Sequence, residues 1–82
     1  MNATGRRLDR DVLAQMGQDV YARIVRPQLR TEDHGKFVVI DVESGEFEMD
    51  AKLGDAANRL HARIPGVQAW AERVGYPSLH KL

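Results

Sequence analysis

Four acids crowd the turn at Ser44-Gly45, with Asp41 and Glu43 before it and Glu46 and Glu48 after it. Carboxylates this close can do two kinds of chemistry. Asp41, Glu43 and Glu48 could hold a divalent cation, or two carboxyls could divide acid and base roles if they were buried unequally. The sequence supplies neither setting. There is no loop of alternating oxygen ligands around a central glycine, and a hairpin tip seldom forms a cleft. Like charges facing each other across strands destabilise unless a cation answers them. The residues therefore favour a solvated acidic tip partly paired with Arg73 or Lys36, then docking of a basic partner, and last metal binding or catalysis.

Other chemistry-bearing residues are isolated. His34, His61 and His80 show no metal-ligand spacing and there is no cysteine, so neither a metal site nor a cofactor is expected. Arg23, Arg26 and Arg30 recur at three- and four-residue steps and would track a phosphate backbone if a helix ran through Pro27, but they lack interleaved aromatics and a helix-turn-helix partner. Gly35, Gly45, Gly54, Gly66 and Gly75 stand singly, as turn and cap residues do, so no phosphate-cradling loop is present. Ser44 and Ser78 fall in turns without a nucleophile elbow. Trp70 reads as a core or interface anchor rather than a stacking platform. No catalytic residue is expected, and the chain is read as a non-enzyme.

The elements that must position these residues read as αββαβ, with a short final strand over residues 78–82. Asp9 is placed to cap a first helix, with Leu8 and Leu13 as a hydrophobic staple. Val12, Leu13, Met16, Val20, Tyr21, Ile24 and Val25 recur at helical spacing and make one apolar stripe, the strongest periodic signal in the chain. Pro27 ends or kinks that helix. The β-branched and aromatic run Lys36–Val42, the turn at Ser44-Gly45 and the segment Glu46–Met49 predict a hairpin. A two-residue loop would set Val42 opposite Phe47, Asp41 opposite Glu48 and Ile40 opposite Met49. Asp50 is the expected cap of a second helix carrying Leu53, Ala56, Ala57, Leu60 and Ile64, stopped by Pro65-Gly66. Val67–Val74 reads as a third strand with Trp70 and Val74 on one side. Since Lys36–Val42 is apolar on both sides, both faces of the sheet want cover: one from the second helix, the other from the first helix or from another chain.

Length and charge bound the rest. Eighty-two residues allow one modest core, read as a flexible start over residues 1–8 and a single α+β domain over residues 9–82 with a mainly antiparallel sheet. Twelve basic residues balance twelve acidic ones, which removes a bulk electrostatic case for nucleic acid or an anionic membrane. The balance is local, however. Residues 1–30 hold six Arg against three Asp, residues 31–50 one Lys against seven acids, and residues 51–82 five basic against two acidic residues. No run is long and apolar enough for a membrane span and no secretory signal is present, so a soluble cytoplasmic protein is expected.

From Tyr21 onward the chain resembles a group of small bacterial proteins of unassigned function. The resemblance rests on Tyr21 with Ile24-Val25-Arg26-Pro27, on Gly35-Lys36 leading into Ile40-Asp41-Val42-Glu43-Ser44-Gly45, on Phe47-Glu48-Met49-Asp50, on Ala62-Arg63 before Pro65, and on Arg73-Val74-Gly75-Tyr76. The chain departs from that pattern at Ser44, where Thr is usual, and at Ala51-Lys52-Leu53-Gly54, where a more acidic start is usual. The resemblance implies a charged network of Arg26, Asp41, Glu43 and Arg73, and an antitoxin-like role for the chain. Taken together, the expected function is a non-enzymatic interaction module that uses the apolar helix stripe and the acidic hairpin to engage another protein or form a homodimer. A small nucleic-acid-binding regulator using the basic N-terminal third is the alternative.

Overall fold

The computed structural model describes residues 8–77, so the expectations for residues 1–7 and for a strand over residues 78–82 lie outside the described residues. Asp9 caps α1 (Arg10–Val20), its carboxylate accepting the Asp11 N–H at 3.3 Å. The helix then changes pitch before it stops. Tyr21–Val25 is a π turn in which the Arg26 N–H donates to the Tyr21 carbonyl, and Arg26–Gln28 is a 3-10 turn leading to extended backbone at Leu29. Pro27 accounts for both changes, since its ring would strike the carbonyl four residues back and it has no N–H to continue the ladder.

Three strands, β1 (Phe37–Asp41), β2 (Phe47–Asp50) and β3 (Ala69–Arg73), make one antiparallel sheet in the order β2-β1-β3. Between β2 and β3 the chain crosses the sheet as α2 (Leu53–Arg63). The fold is the expected α+β arrangement of helix, hairpin, helix and strand.

Three local expectations shift. In the hairpin Ile40 stands opposite Phe47, Val39 opposite Glu48 and Val38 opposite Met49, two residues from the predicted register. The cause is a longer loop, because the Asp41 carbonyl accepts the Gly45 N–H at 2.8 Å and the Asp41 N–H donates to the Glu46 carbonyl at 2.8 Å. Gly45 takes the left-handed conformation this loop needs (φ +80°). A shift of two preserves which face each side chain occupies, so the core is as expected. At α2 the N-cap is Lys52, with no side-chain cap, while Asp50 accepts the Lys52 N–H at 2.9 Å in the turn before the helix. The third strand is shorter than Val67–Val74, covering Ala69–Arg73.

The core has two halves on either side of β1. Tyr21, Val25, Val38, Ile40 and Val74 are buried together, with Val20, Leu29, Phe47, Met49 and Trp70 packed against them. On the other face Val39, Ala56, Leu60 and Val67 are buried, flanked by Ala57, Ile64 and Ala69. Both faces of the two-sided strand are thus covered from within one chain. The two faces of β1 therefore need no second chain to cover them.

Candidate functional site

The acids on β2 are answered by α2. Arg59 and Arg63 stand one turn apart on the helix and lie across the strand. Arg59 donates from Nε to Glu48 at 2.9 Å, from Nη1 to Asp50 at 3.0 Å and from Nη2 to the Met49 carbonyl at 2.9 Å. Arg63 donates from Nη1 to Glu46 and pairs through Nε with Glu48, each at 2.9 Å, and reaches the Phe47 carbonyl at 3.3 Å. Glu48 bridges both guanidiniums. The Arg59 hydrogen bond is the largest influence holding the Glu48 carboxyl below its ordinary value. Asp50 is lowered first by the Lys52 N–H and then by Arg59. The cations expected here from the sequence serve elsewhere, Lys36 pairing with Asp33 at 3.0 Å.

These shifts fix a pH dependence. Groups lowered in the folded state contribute stability that is complete above the ordinary carboxylate range, near pH 4, and is lost as pH falls through their folded values. The denaturant midpoint is expected to be level from pH 7 to about pH 5 and to fall progressively below that. Asp33, lowered first by the Arg30 N–H and next by Lys36, adds to the same limb. Replacing Arg59 and Arg63 by Gln together should flatten the part due to Glu48 and leave the part due to Asp33. An acid limb unchanged in that double variant would rule out the ladder as its source.

The charged network of Arg26, Asp41, Glu43 and Arg73 does not assemble among the described residues. Arg73 stands opposite Phe37 at one end of the β1–β3 ladder and Asp41 opposite Ala69 at the other, too far apart at about 3.3 Å per residue to meet. Asp41 is buried, 4% exposed, and takes its hydrogen bonds from its own turn and from β3: the Ser44 hydroxyl at 2.7 Å, the Ser44 N–H at 3.3 Å and the Gln68 N–H at 3.1 Å. Glu43 is exposed at the turn. Arg26 lies over the Tyr21 ring at 5.5 Å. Glu46 and Glu48 belong to the ladder on α2.

The apolar stripe divides. Tyr21 and Val25 are core, Val20 packs against the core, Leu13 and Met16 are half-buried, and Val12 and Ile24 are 43% and 39% exposed. The close contact of α1 with the sheet is Gly17, which is buried against Trp70 and which an apolar pattern passes over. Three of its seven residues are therefore spent on this chain's own core.

Among the described residues β3 is an edge strand with β1 as its neighbour and an open outer side. Val74 donates to the Lys36 carbonyl at 2.8 Å and Val42 donates to the Gln68 carbonyl at 3.1 Å, so even-numbered residues carry the ladder to β1. Alternation then turns the backbone groups of Ala69 and Ala71 outward. Beside this edge runs a groove of about 270 Å³ lined by Phe37, Leu53, Ala69, Ala71, Arg73 and Pro77, with Trp70 and Glu72 also on its wall. Its walls are mostly apolar. Leu53 is 42% exposed there, α2 lying mainly over β1 and β2. Arg73 is held at the groove's end by three contacts: Nε donates to the Gly35 carbonyl at 3.0 Å, and the guanidinium stacks on Phe37 (4.9 Å) and Tyr76 (4.2 Å).

On the opposite face of β3 a second, polar cleft collects Gln18, Tyr21, Arg26, Glu72, Tyr76 and Pro77. Trp70 Nε1 donates to Glu72 at 2.8 Å. Burial, followed by the Glu72 charge, raises the Tyr21 phenol above its usual value.

No family model, no curated protein and no solved structure matches the chain. The site must speak through its own chemistry. Among the described residues no three His, Asp or Glu side chains come together to hold a metal ion, and no helix is long and apolar enough to cross a membrane. Sequence reasoning found Arg73 and missed the groove. The available signal was the pair of small residues, Ala69 and Ala71, on one side of a predicted strand.

Proposed function

We propose that this protein is a non-enzymatic interaction module that adds an extended segment of another protein to the outer edge of β3. The observation that carries the reading is the edge of β3, open among the described residues, with outward backbone groups at Ala69 and Ala71 beside an apolar groove. An edge strand supplies affinity through main-chain hydrogen bonds, and a groove beside it supplies side-chain selectivity. The other surfaces offer less. Of the hairpin's acids, Glu46 and Glu48 are neutralised by Arg59 and Arg63 and Asp41 is buried, and Tyr21 and Val25 of the helix stripe lie in the core. Phosphate tracking by the N-terminal arginines has thin support, as Arg23 pairs with Asp19 at 3.6 Å and the pitch changes around Pro27 break the row. An antitoxin-like role is the use of such a module implied by the resemblance to small bacterial proteins.

The test is a selection of extended peptides from a random display library, repeated on Ala71→Pro. Proline is tolerated on an edge strand where its missing N–H would point outward, so the variant should keep its fold while losing a donor and gaining a ring where the segment must lie. Binding to the wild type that disappears in Ala71→Pro, with an unchanged circular dichroism spectrum, is expected. Failure to select any peptide, or equal binding to both proteins, would overturn the reading.

A further inference from the structure

Counting cations against anions along the folded chain leaves the guanidiniums of Arg10, Arg26, Arg30 and Arg73 without a carboxylate among the described residues; Arg26 lies over one ring, whereas Arg73 is held by a hydrogen bond and two rings. Arg59 and Arg63 are consumed by Glu46, Glu48 and Asp50, Lys36 by Asp33, and Arg23 by Asp19. Arg73 instead spends Nε on a backbone carbonyl and its flat faces on Phe37 and Tyr76. A stacked guanidinium with one nitrogen anchored has lost most of its rotamer freedom before any partner arrives, and its remaining donors suit two oxygens in a plane. It also lines the groove beside the open strand.

We infer that the segment added to β3 carries a carboxylate side chain, which the Arg73 guanidinium receives at the end of the groove while small apolar side chains lie against Phe37, Ala69 and Ala71. This rests on the reading of β3 as the docking edge. Charge complementarity chooses an acidic segment over a second copy of this chain. Antiparallel pairing of two copies about Ala71 would set each Arg73 against Ala69 of the second copy. The acid within β3, Glu72, also lines the groove, but its side chain alternates onto the Trp70 and Val74 side of the sheet, where its carboxylate accepts the Trp70 Nε1–H at 2.8 Å.

The probes are two blocked peptides, acetyl-Thr-Val-Glu-Val-Thr-amide and its twin with Gln for Glu, titrated into the isotopically labelled protein at 50 mM and 300 mM salt. The Glu peptide is expected to bind about tenfold more tightly at low salt, as a charge-assisted hydrogen bond predicts, with shifts centred on Ala71 and Arg73 and a preference that shrinks at high salt. Arg73→Lys keeps the charge but loses the fork and the stack, and should remove most of that preference. Equal binding of the two peptides to the wild type would overturn the carboxylate inference and leave the β3 reading standing. Binding of neither would overturn the β3 reading and the inference with it. The comparison on the wild type needs no variant, so a misfolded Arg73→Lys would not blunt it.

Discussion

Gly17→Ala is expected to destabilise the protein by about 1–3 kcal/mol, the usual cost of forcing an extra methyl into a packed core, although alanine is the better helix former by about 1 kcal/mol. A Cβ at position 17 would meet Trp70 Cβ at 2.5 Å and come closer still to Cγ and Cδ1. These atoms form the root of the indole side chain and cannot swing aside. The helix must instead lift off the sheet, loosening Tyr21 and Val25 one and two turns farther on, which are 8% and 0% exposed. Gly54→Ala is the control. It lies in α2 with nothing within 4 Å of an added Cβ, so the helical preference acts alone and the midpoint should rise. Denaturant midpoints of opposite sign are the expected result, and a gain at both positions would mean that α1 does not rest on Trp70.

That glycine marks where an apolar pattern stops being informative. Hydrophobic spacing identifies α1 and assigns Tyr21 and Val25 to its inner face, and both are core. Yet the row that meets the sheet is Gly17, Tyr21, Val25 and Leu29, spaced by four, where a repeat of 3.6 also admits Val12 and Ile24. The π turn holds the four-residue spacing in line over its last part, and a side chain of zero hydropathic weight makes the closest approach. Neither cause is visible to a periodicity count.

The charges divide in a similar way. That the hairpin acids need cations follows from their positions on facing strands, and arginines one helical turn apart at 59 and 63 are plain in the sequence. Which cations answer them depends on α2 packing back across β2, a tertiary fact that no local spacing encodes. The groove is legible only after the strand order is known, because β3 becomes an edge when it joins β1 on the side away from β2. By contrast, the boundaries set by Pro27, Gly45 and Pro65-Gly66 follow from backbone chemistry alone, and the chain turns at each of them.

Asp41→Ala should have an effect of the same order, about 1–3 kcal/mol of lost stability, because it strips the acceptor from a buried N–H. The carboxylate joins two parts of the fold that are far apart in sequence. One oxygen accepts the Ser44 hydroxyl and N–H and so fixes the loop that sets the hairpin register, while the other accepts the Gln68 N–H at the entrance to β3. Water cannot replace alanine's missing acceptor easily, since Asp41 is 4% exposed and Gln68 is 7% exposed. The salt-bridge ladder on α2 has more charges but stands at the surface, where solvent screens each pair, so its loss should matter less than this single buried group. Asp41→Asn offers one carbonyl oxygen where two acceptors are needed, and its amide nitrogen must then face either Ser44 or Gln68, so it should fall between the wild type and Asp41→Ala. Glu43→Ala, two residues away and exposed, should stay within about 0.5 kcal/mol. Urea unfolding of the three variants gives the order directly. If Asp41→Ala proved as mild as Glu43→Ala, the carboxylate would be solvated, and the bond between hairpin and β3 would have no part in stability.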